Sequence, residues 1–323
     1  MAEPNEGAAE SRKKSTDAGQ SQPERANSLA RVGAKSTKRR MPRALSSLFA
    51  NKLATFGAIV LVLVTFAAIF APVIAPHDPN AQMLVDNRQP GIWSSEGSST
   101  YILGTDSLGR DIFSRILYGA QISLLVGITA VALAGAIGIT LGLISGFYGR
   151  FIDDVIMRIA DVQLAIPFIL LAIAILAVLG QGLQNVILTL GIANWVVYGR
   201  VVRGQVLSWK EKEFVEAARS IGARDISIML KHILPNTFAS IIVIASFAVA
   251  ATILAEAALS FLGLGVPPSI PTWGGMVNRG RDNILTGEWW IYTFPGLAIM
   301  FTVLAVNVIG DWLRDYLDPR MRV

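Results

Sequence analysis

Six long apolar stretches constrain the fold of this chain more than any other feature of the sequence. They lie at residues 53–75, 121–146, 159–180, 185–203, 237–262 and 290–312. Each is close to the ~20 residues that an α-helix needs to cross the hydrocarbon core of a bilayer. The strands of a membrane β-barrel would instead alternate polar and apolar residues over about ten positions. The sequence therefore predicts an all-α membrane protein with six transmembrane helices.

The composition excludes several classes of function. Only 16% of the 323 residues are charged, whereas a soluble domain has about one quarter, so a soluble enzyme is not expected. The chain has no cysteine and two histidines, which excludes thiolate metal sites, multi-histidine metal centres and a cysteine nucleophile. The spans contain no pair of carboxylates that could serve an intramembrane enzyme. We therefore expect no catalytic residue, no metal and no cofactor in this chain.

The basic residues predict the orientation in the membrane. If the N-terminus is cytoplasmic, 23 of the 28 Lys and Arg residues fall in inner segments and five in outer segments. Inner loops of membrane proteins carry such an excess, so both termini are expected in the cytoplasm. The first 50 residues are basic and poor in large apolar side chains, which is typical of a disordered, solvated tail. Its Lys38–Arg43 run could touch anionic lipid, whereas no aromatic interleaving indicates nucleic-acid binding.

The stretch before the second span predicts an amphipathic helix at the outer interface. Thr105 or Asp106 can cap a helix that begins near Leu108 and leads into the span. Four regions follow: a basic cytosolic tail (1–50), the first transmembrane helix with an outer loop and the interfacial helix (51–120), a transmembrane core with a cytosolic loop at 204–236 (121–312), and a C-terminal cytosolic tail (313–323).

A stripe of small residues runs along the second span. Gly138, Gly142 and Gly146 form a doubled GxxxG pattern, and small side chains at this spacing let two helix backbones approach closely. The stripe can pack against another helix of the same chain or against a partner subunit. The spacing does not distinguish these two interpretations.

Two residues interrupt the apolar spans in different ways. Glu256 is the clearest ionisable residue inside a predicted span, and a carboxylate there must face protein, water or a polar boundary. It is a candidate residue of a translocation pathway or gate, or a structural hydrogen-bond partner near the outer end. Pro167 removes one helical hydrogen bond and is expected to kink the third span.

The loop at 204–236 predicts an ordered helical elbow at the inner surface. Apolar residues at helical spacing end at Gly222, and Asp225 can cap a second helix that Pro235 stops. A loop that only joined two spans would not need about thirty ordered residues. An amphipathic elbow of this kind indicates a docking site for a cytosolic partner.

Residues of this elbow resemble the EAA loop of permease subunits of binding-protein-dependent ABC importers. That family's pattern is E-A-A, three residues, G, nine residues, I, one residue, L-P. Glu216-Ala217-Ala218, Gly222 and Leu234-Pro235 match the pattern, and His232 stands at the isoleucine position. The segments LGTDSLGRDIFSRILYGAQISL and AEAALSFLGLGVPPSIPTWGGM further resemble the oligopeptide, dipeptide and nickel branch. The resemblance covers about residues 50–323.

The resemblance implies the permease fold of a type I ABC importer. Two permease chains would form the pathway, two cytosolic ATPases would bind below them, and an extracytoplasmic binding protein would deliver the substrate. Two alanines would offer a shallow face to a groove of the ATPase, Glu216 a charge, and Gly222 a turn. The positions that couple to the ATPase would be Glu216, Ala217, Ala218, Gly222 and Pro235. Di- and oligopeptides fit this branch, with nickel chelates or other small solutes as alternatives.

The chain lacks the phosphate-binding loop of an ATPase. No G-x-x-x-x-G-K-[ST] motif occurs, and the nearest string, residues 33–37, lacks the first glycine and the preceding strand. ATP and Mg²⁺ are therefore expected on the partner ATPases and not on this chain. A secondary transporter is the remaining alternative, but such proteins show related halves with broken segments, which this sequence does not.

Overall fold

The computed structural model describes residues 43–317, and their regular secondary structure is helical. Predictions for residues 1–42 and 318–323 lie outside the described residues. The helices are α1 (Arg43–Ala50), α2 (Lys52–Ile69), α3 (Ala71–Ile74), α4 (Ile112–Tyr148), α5 (Arg150–Ala165), α6 (Phe168–Leu179), α7 (Leu183–Trp209), α8 (Glu213–Ser220), α9 (Asp225–Ile228), α10 (Leu234–Phe261), α11 (Trp273–Gly280) and α12 (Trp290–Leu317).

Five helical segments of the described chain are long and apolar enough to cross a membrane. They are Lys52–Ile69, Ile112–Tyr148, Leu183–Trp209, Asp225–Phe261 and Trp290–Leu317. The pair α5 and α6 makes a sixth segment if the two are taken as one broken span. The prediction of an all-helical protein with this set of apolar spans is confirmed.

The prediction that the third span, 159–180, is a single kinked helix is wrong. The structure has two helices that meet at 97°, and the first of them begins at Arg150. Ile166 is extended, with φ −94° and ψ 124°, as expected for a residue that precedes proline. Pro167 then stands at the N-cap of α6. Because proline has no amide hydrogen and excludes the helical conformation before it, the helix breaks here instead of bending.

The predicted start of the interfacial helix, near Leu108 with Thr105 or Asp106 as its cap, is also wrong. α4 runs without a break for 37 residues, and its N-cap is Asp111, whose side chain accepts from the Ser114 amide at 3.0 Å. Asp106 instead holds a turn, since its Oδ1 accepts from the amide of Leu108 at 2.9 Å. Gly109 continues this turn with a φ of +70°. No proline lies between Asp111 and Tyr148, and the interfacial turns and the span form one helix.

The prediction that Pro235 ends the elbow is wrong. Pro235 lies in the first turn of α10, and a five-residue π-helical turn, Met229–Ile233, joins α9 to α10. Proline cannot donate to the fourth preceding carbonyl, and a wider π turn accommodates this missing bond. Ile233, the last residue of this turn, is fully buried. Asp225 is the first helical residue and not the cap, which is Arg224.

Helices α4 and α7 form the centre of the bundle along the glycine stripe. A Cβ atom at Gly138 would lie 2.3 Å from the carbonyl oxygen of Trp195, and one at Gly142 would lie 2.6 Å from that of Gly199. At Gly146 it would lie 2.8 Å from Cβ of Val206. The structure therefore places the stripe against a helix of the same chain.

Two apolar clusters mark opposite ends of the bundle. At the end that carries the elbow, Phe147 of α4 and Val206 of α7 pack with Val215 of α8 and Ile228 of α9. At the other end, which we call the loop end, Ala120 of α4 packs with residues of α11 and α12 such as Trp273 and Ile291. The long connections at 75–111 and 262–289 lie at this loop end.

Candidate functional site

The elbow is built from two short helices that pack on the ends of α4 and α7. Helix α8 carries Glu213 and Glu216 in its first turn and Arg219 in its last, which is the favourable arrangement for the helix dipole. Val215 is fully buried and Ala218 is 5% exposed. These two side chains face the apolar cluster at the ends of α4 and α7. The elbow is therefore part of the folded bundle.

Gly222 closes α8 with a Schellman motif. Its amide donates to the carbonyl of Arg219 at 2.9 Å, and the amide of Ala223 donates to that of Ala218 at 3.0 Å. Gly222 has a φ of +79°, which glycine adopts without the strain that a Cβ atom causes. No heavy atom of residues 43–317, apart from those of its chain neighbours, lies within 4 Å of the position that a Cβ atom would take. Backbone conformation alone therefore favours glycine here.

The five predicted coupling residues do not share one surface. Glu216, Ala217 and Gly222 are exposed on the outside of the elbow. Ala218 instead points into the bundle, so the two alanines do not form the shallow outward face together. Pro235 is exposed but belongs to the first turn of α10.

The outside of the elbow also carries large apolar side chains. Ile221 is 85% exposed, and Ile226 and Leu230 are exposed by more than half. Phe214 is 40% exposed and contacts the ring of Trp209, with centroids 6.1 Å apart. Apolar side chains beside a charged Glu216 are the composition of a protein-docking surface.

Two side chains of the elbow region contact the end of α4. The guanidinium of Arg219 lies over the ring of Phe147, 5.5 Å from its centroid, within the range of a cation–π contact. Lys210, which precedes α8, donates from Nζ to the carbonyl of Gly146 at 3.3 Å. A force on the elbow would therefore reach the same helix that holds the glycine stripe.

An ion pair that was not predicted from the sequence joins α5 to α7. Arg203 and Asp153 form two hydrogen bonds, and the Ser145 hydroxyl donates to the same carboxylate at 2.5 Å. A second pair, Arg200 with Asp161, joins the same helices at 2.5 Å but is about half exposed. The signal was present in the sequence, because Arg200 and Arg203 lie at the end of an apolar stretch. Their partners could not be identified without the path of the broken third span.

Glu256 is fully buried where α4, α10 and the segment before α11 meet. Its Oε1 accepts from the hydroxyl of Ser260 at 2.7 Å, and its Oε2 is 3.5 Å from the hydroxyl of Ser123. In the described part of the chain no basic side chain forms an ion pair with it. The arrangement is that of a hydrogen-bonded carboxyl between helices.

An apolar cavity of about 390 Å³ lies between α6, α7 and α10. The side chain of Asn194 is its polar feature, and a second space of about 280 Å³ adjoins it at the break before α6. Glu256 does not line either space. The cavity is lined by Phe168, Ile169, Asn194, Ala251, Leu254, Ala255, Ala258, Leu259 and Leu262.

The described residues contain no group of three or more His, Cys, Asp or Glu that could hold a metal ion. The elbow presents exposed apolar and charged side chains and packs on the ends of α4 and α7, and the cavity lies beside the broken span.

Comparison with known proteins identifies the family. The model of the binding-protein-dependent transport system inner membrane component matches residues 138–323, and that of the N-terminal TM domain of oligopeptide transport permease C matches residues 41–90. A structure of the MetNI methionine ABC transporter, in an inward-facing conformation, has a TM-score of 0.52 at 17% identity. It covers 63% of this chain and 96% of that one. This likeness confirms the fold that we predicted.

Curated relatives cover most of the chain. A dipeptide transport system permease protein of Alkalihalophilus pseudofirmus is 47% identical over 279 residues, which are 86% of this chain and 90% of the relative. A di/tripeptide transport system permease protein of Pseudomonas aeruginosa is 42% identical over 272 residues, 84% and 89% of the two chains. A glutathione transport system permease protein of Escherichia coli is 47% identical over 270 residues, which are 84% of this chain and 87% of the relative. The chain belongs to the inner-membrane permease family of binding-protein-dependent transport systems.

Proposed function

We propose that this permease imports di- and oligopeptides together with a second, homologous permease chain. The observation that carries this substrate class is the set of relatives more than 40% identical over most of their length, which are named for dipeptides, di/tripeptides and glutathione. Two cytosolic ATPases supply the energy and hold ATP and Mg²⁺, and an extracytoplasmic binding protein delivers the peptide. Both chain termini are cytoplasmic in this arrangement, in agreement with the distribution of Lys and Arg.

The elbow is the proposed contact with the ATPase. Ile221 and Ala217 present apolar surface, Glu216 presents a charge, and the Schellman turn at Gly222 fixes the angle between α8 and α9. Val215 and Ala218 anchor this surface to the bundle. Movement of the ATPase would thus be transmitted to α4 and α7. Pro235 contributes indirectly, through the π turn that connects the elbow to α10.

The proposal predicts the composition and activity of the complex. The full chain, tagged and isolated from its native membrane, should bring with it a second permease and ATPase chains, which mass spectrometry identifies. In proteoliposomes with the binding protein, the complex should take up a labelled dipeptide only when ATP is supplied. The isolated chain should hydrolyse no ATP.

Other results would reject parts of the proposal separately. ATP-driven uptake of a nickel chelate without uptake of peptides would replace the substrate class and leave the coupling intact. Uptake driven by an ion gradient without ATP would instead indicate a secondary transporter and reject both.

A further inference from the structure

A cluster of arginine residues lies at the loop end of the bundle, where α4 begins and α11 ends. Arg115 in the first turn of α4 is fully buried, and Arg110 is 4% exposed. Arg279 in α11 is half-buried. The carboxylate beside them is Asp106, which is 5% exposed. Three guanidinium groups therefore share one nearby carboxylate.

Both carboxylate oxygens of Asp106 already accept hydrogen bonds from Arg110 or from the amides of its own turn. Its Oδ1 accepts from the amides of Leu108 and Arg110, at 2.9 and 3.1 Å. Its Oδ2 accepts from Nε of Arg110 at 2.8 Å. Nε of Arg115 is 4.0 Å from that oxygen, which is beyond hydrogen-bonding distance. One of the three positive charges is thus neutralised by a direct contact.

Arg115 and Arg279 bond mainly to backbone. Nη1 of Arg115 donates to the carbonyl of Pro79 at 2.6 Å and approaches Oδ1 of Asn80 at 3.5 Å. Nη1 of Arg279 donates to the carbonyl of Pro268 at 3.1 Å. Nε and Nη2 of Arg115 and Nη2 of Arg279 are buried and have no hydrogen-bond partner among the described residues. Each guanidinium therefore has a free donor.

The second buried carboxylate of this region does not compensate them. Oδ2 of Asp111 accepts from the amide and hydroxyl of Ser114, at 3.0 and 2.5 Å, and lies 3.4 Å from Nδ1 of His77. Within residues 43–317, Asp111 forms no ion pair with Arg115 or Arg279.

The electrostatics of Arg279 agree with an excess of positive charge. Burial, followed by the charge of Arg110, lowers the pKa of Arg279 to about 10. At neutral pH the group remains charged at this value. Asp106 offsets part of this lowering but makes no direct contact with Arg279 among the described ion pairs. A partly buried guanidinium that bonds to no carboxylate is costly.

We propose that Arg115 and Arg279 form a binding site for a carboxylate that arrives from the outer side of the membrane. Guanidinium groups match the two oxygens of a carboxylate. The unpaired donors are buried in this structure, and Arg279 is the partly exposed residue of the pair. The carboxylate comes from the transported solute or from an acidic side chain of the delivering protein. The inference rests on the proposed function for the orientation of the loop end and for these two sources.

The test compares Arg279→Gln with Arg281→Gln in the complete complex in proteoliposomes. Arg281 is a matched control, since it is exposed and contacts only the neighbouring Asp282 among the described ion pairs. The probes are alanyl-alanine and its C-terminal amide, and the binding of the peptide-free delivery protein to the complex is measured separately. Arg279→Lys keeps the positive charge, so it should lose less peptide uptake or delivery-protein binding than Arg279→Gln does.

Each source predicts its own pattern for Arg279→Gln. If the solute supplies the carboxylate, the half-saturating concentration rises on the order of tenfold for alanyl-alanine and stays unchanged for the amide. If the delivery protein supplies it, that protein binds the complex about tenfold more weakly and both peptides are affected alike.

Two results would overturn the site. The first is that Arg279→Gln and Arg281→Gln give the same uptake and the same binding of the delivery protein. Equal losses in Arg279→Gln and Arg279→Lys, with equally lowered thermal midpoints of the complex, would show a packing role instead. Failure of the wild-type complex to import alanyl-alanine rejects the peptide proposal alone, because the binding assay of the delivery protein still tests Arg279.

Discussion

The guanidinium of Arg203 on α7 donates two hydrogen bonds to the carboxylate of Asp153 on α5, from Nε to Oδ1 at 2.5 Å and from Nη2 to Oδ2 at 2.6 Å. The side chain of Asp153 is 14% exposed and that of Arg203 is 32% exposed. A two-point pair of this kind is stronger than a surface pair, because its geometry is fixed and it is partly shielded from water.

Replacement of Asp153 by Asn should therefore destabilise the protein by about 1–2 kcal/mol. Asn keeps the shape but removes the charge, and it can accept only one of the two bonds. Asp161→Asn is the matched control, since the pair of Asp161 with Arg200 is about half exposed and should contribute less than about 1 kcal/mol. Thermal unfolding of the purified protein in detergent measures both. Equal midpoints in the two variants would contradict the assignment.

Gly222 provides a prediction in which backbone conformation is separated from packing. A side chain at φ +79° costs about 1–2 kcal/mol, while the space around the position is open. Asn tolerates this conformation better than a β-branched residue does. We expect Gly222→Asn to retain most ATP-driven uptake and Gly222→Val to lose most of it, with normal amounts of both in the membrane. Full uptake by Gly222→Val would contradict the proposed role of the elbow in coupling to the ATPase.

The helical fold and the elbow followed from the sequence because their signals are local. The length and polarity of the apolar stretches predicted the spans, and Gly222 marked the end of α8 at its observed position. The breaks were predicted less well, because proline has different consequences in different surroundings. Pro167 ends a helix, whereas Pro235 is accommodated by a π turn within one long span.

The pairing of charged side chains could not be predicted, since it depends on which helices are neighbours. Asp153 and Arg203 are 50 residues apart, and the break between α5 and α6 lies between them in the chain. The inward orientation of Ala218 likewise depends on the docking of the whole elbow.

The glycine stripe predicts a sharp difference between two glycines on α4. A Cβ at Gly138 would lie 2.3 Å from the Trp195 carbonyl oxygen, whereas one at Gly135 would lie 3.8 Å from the Tyr198 ring, an ordinary contact. Gly138→Ala should destabilise the protein by about 1–3 kcal/mol through overpacking. Gly135→Ala should be neutral or stabilise by up to about 1 kcal/mol, since alanine favours the helix. Thermal unfolding of the isolated chain in detergent measures both, and an unchanged midpoint for Gly138→Ala would contradict the observed packing.

The role of Glu256 is tested by the contrast between Gln and Leu. Because hydroxyl groups and no ion-pair partner surround the carboxyl in the described chain, Glu256→Gln should retain near-normal stability and uptake. Glu256→Leu removes every hydrogen bond of this side chain and leaves the hydroxyls of Ser123 and Ser260 without it, so it should destabilise the protein by about 1–3 kcal/mol. Uptake by the complex and thermal unfolding are measured for both variants. Loss of uptake in Glu256→Gln at normal stability would instead show that the ionisable carboxyl takes part in the pathway or gate, and would reject the structural role.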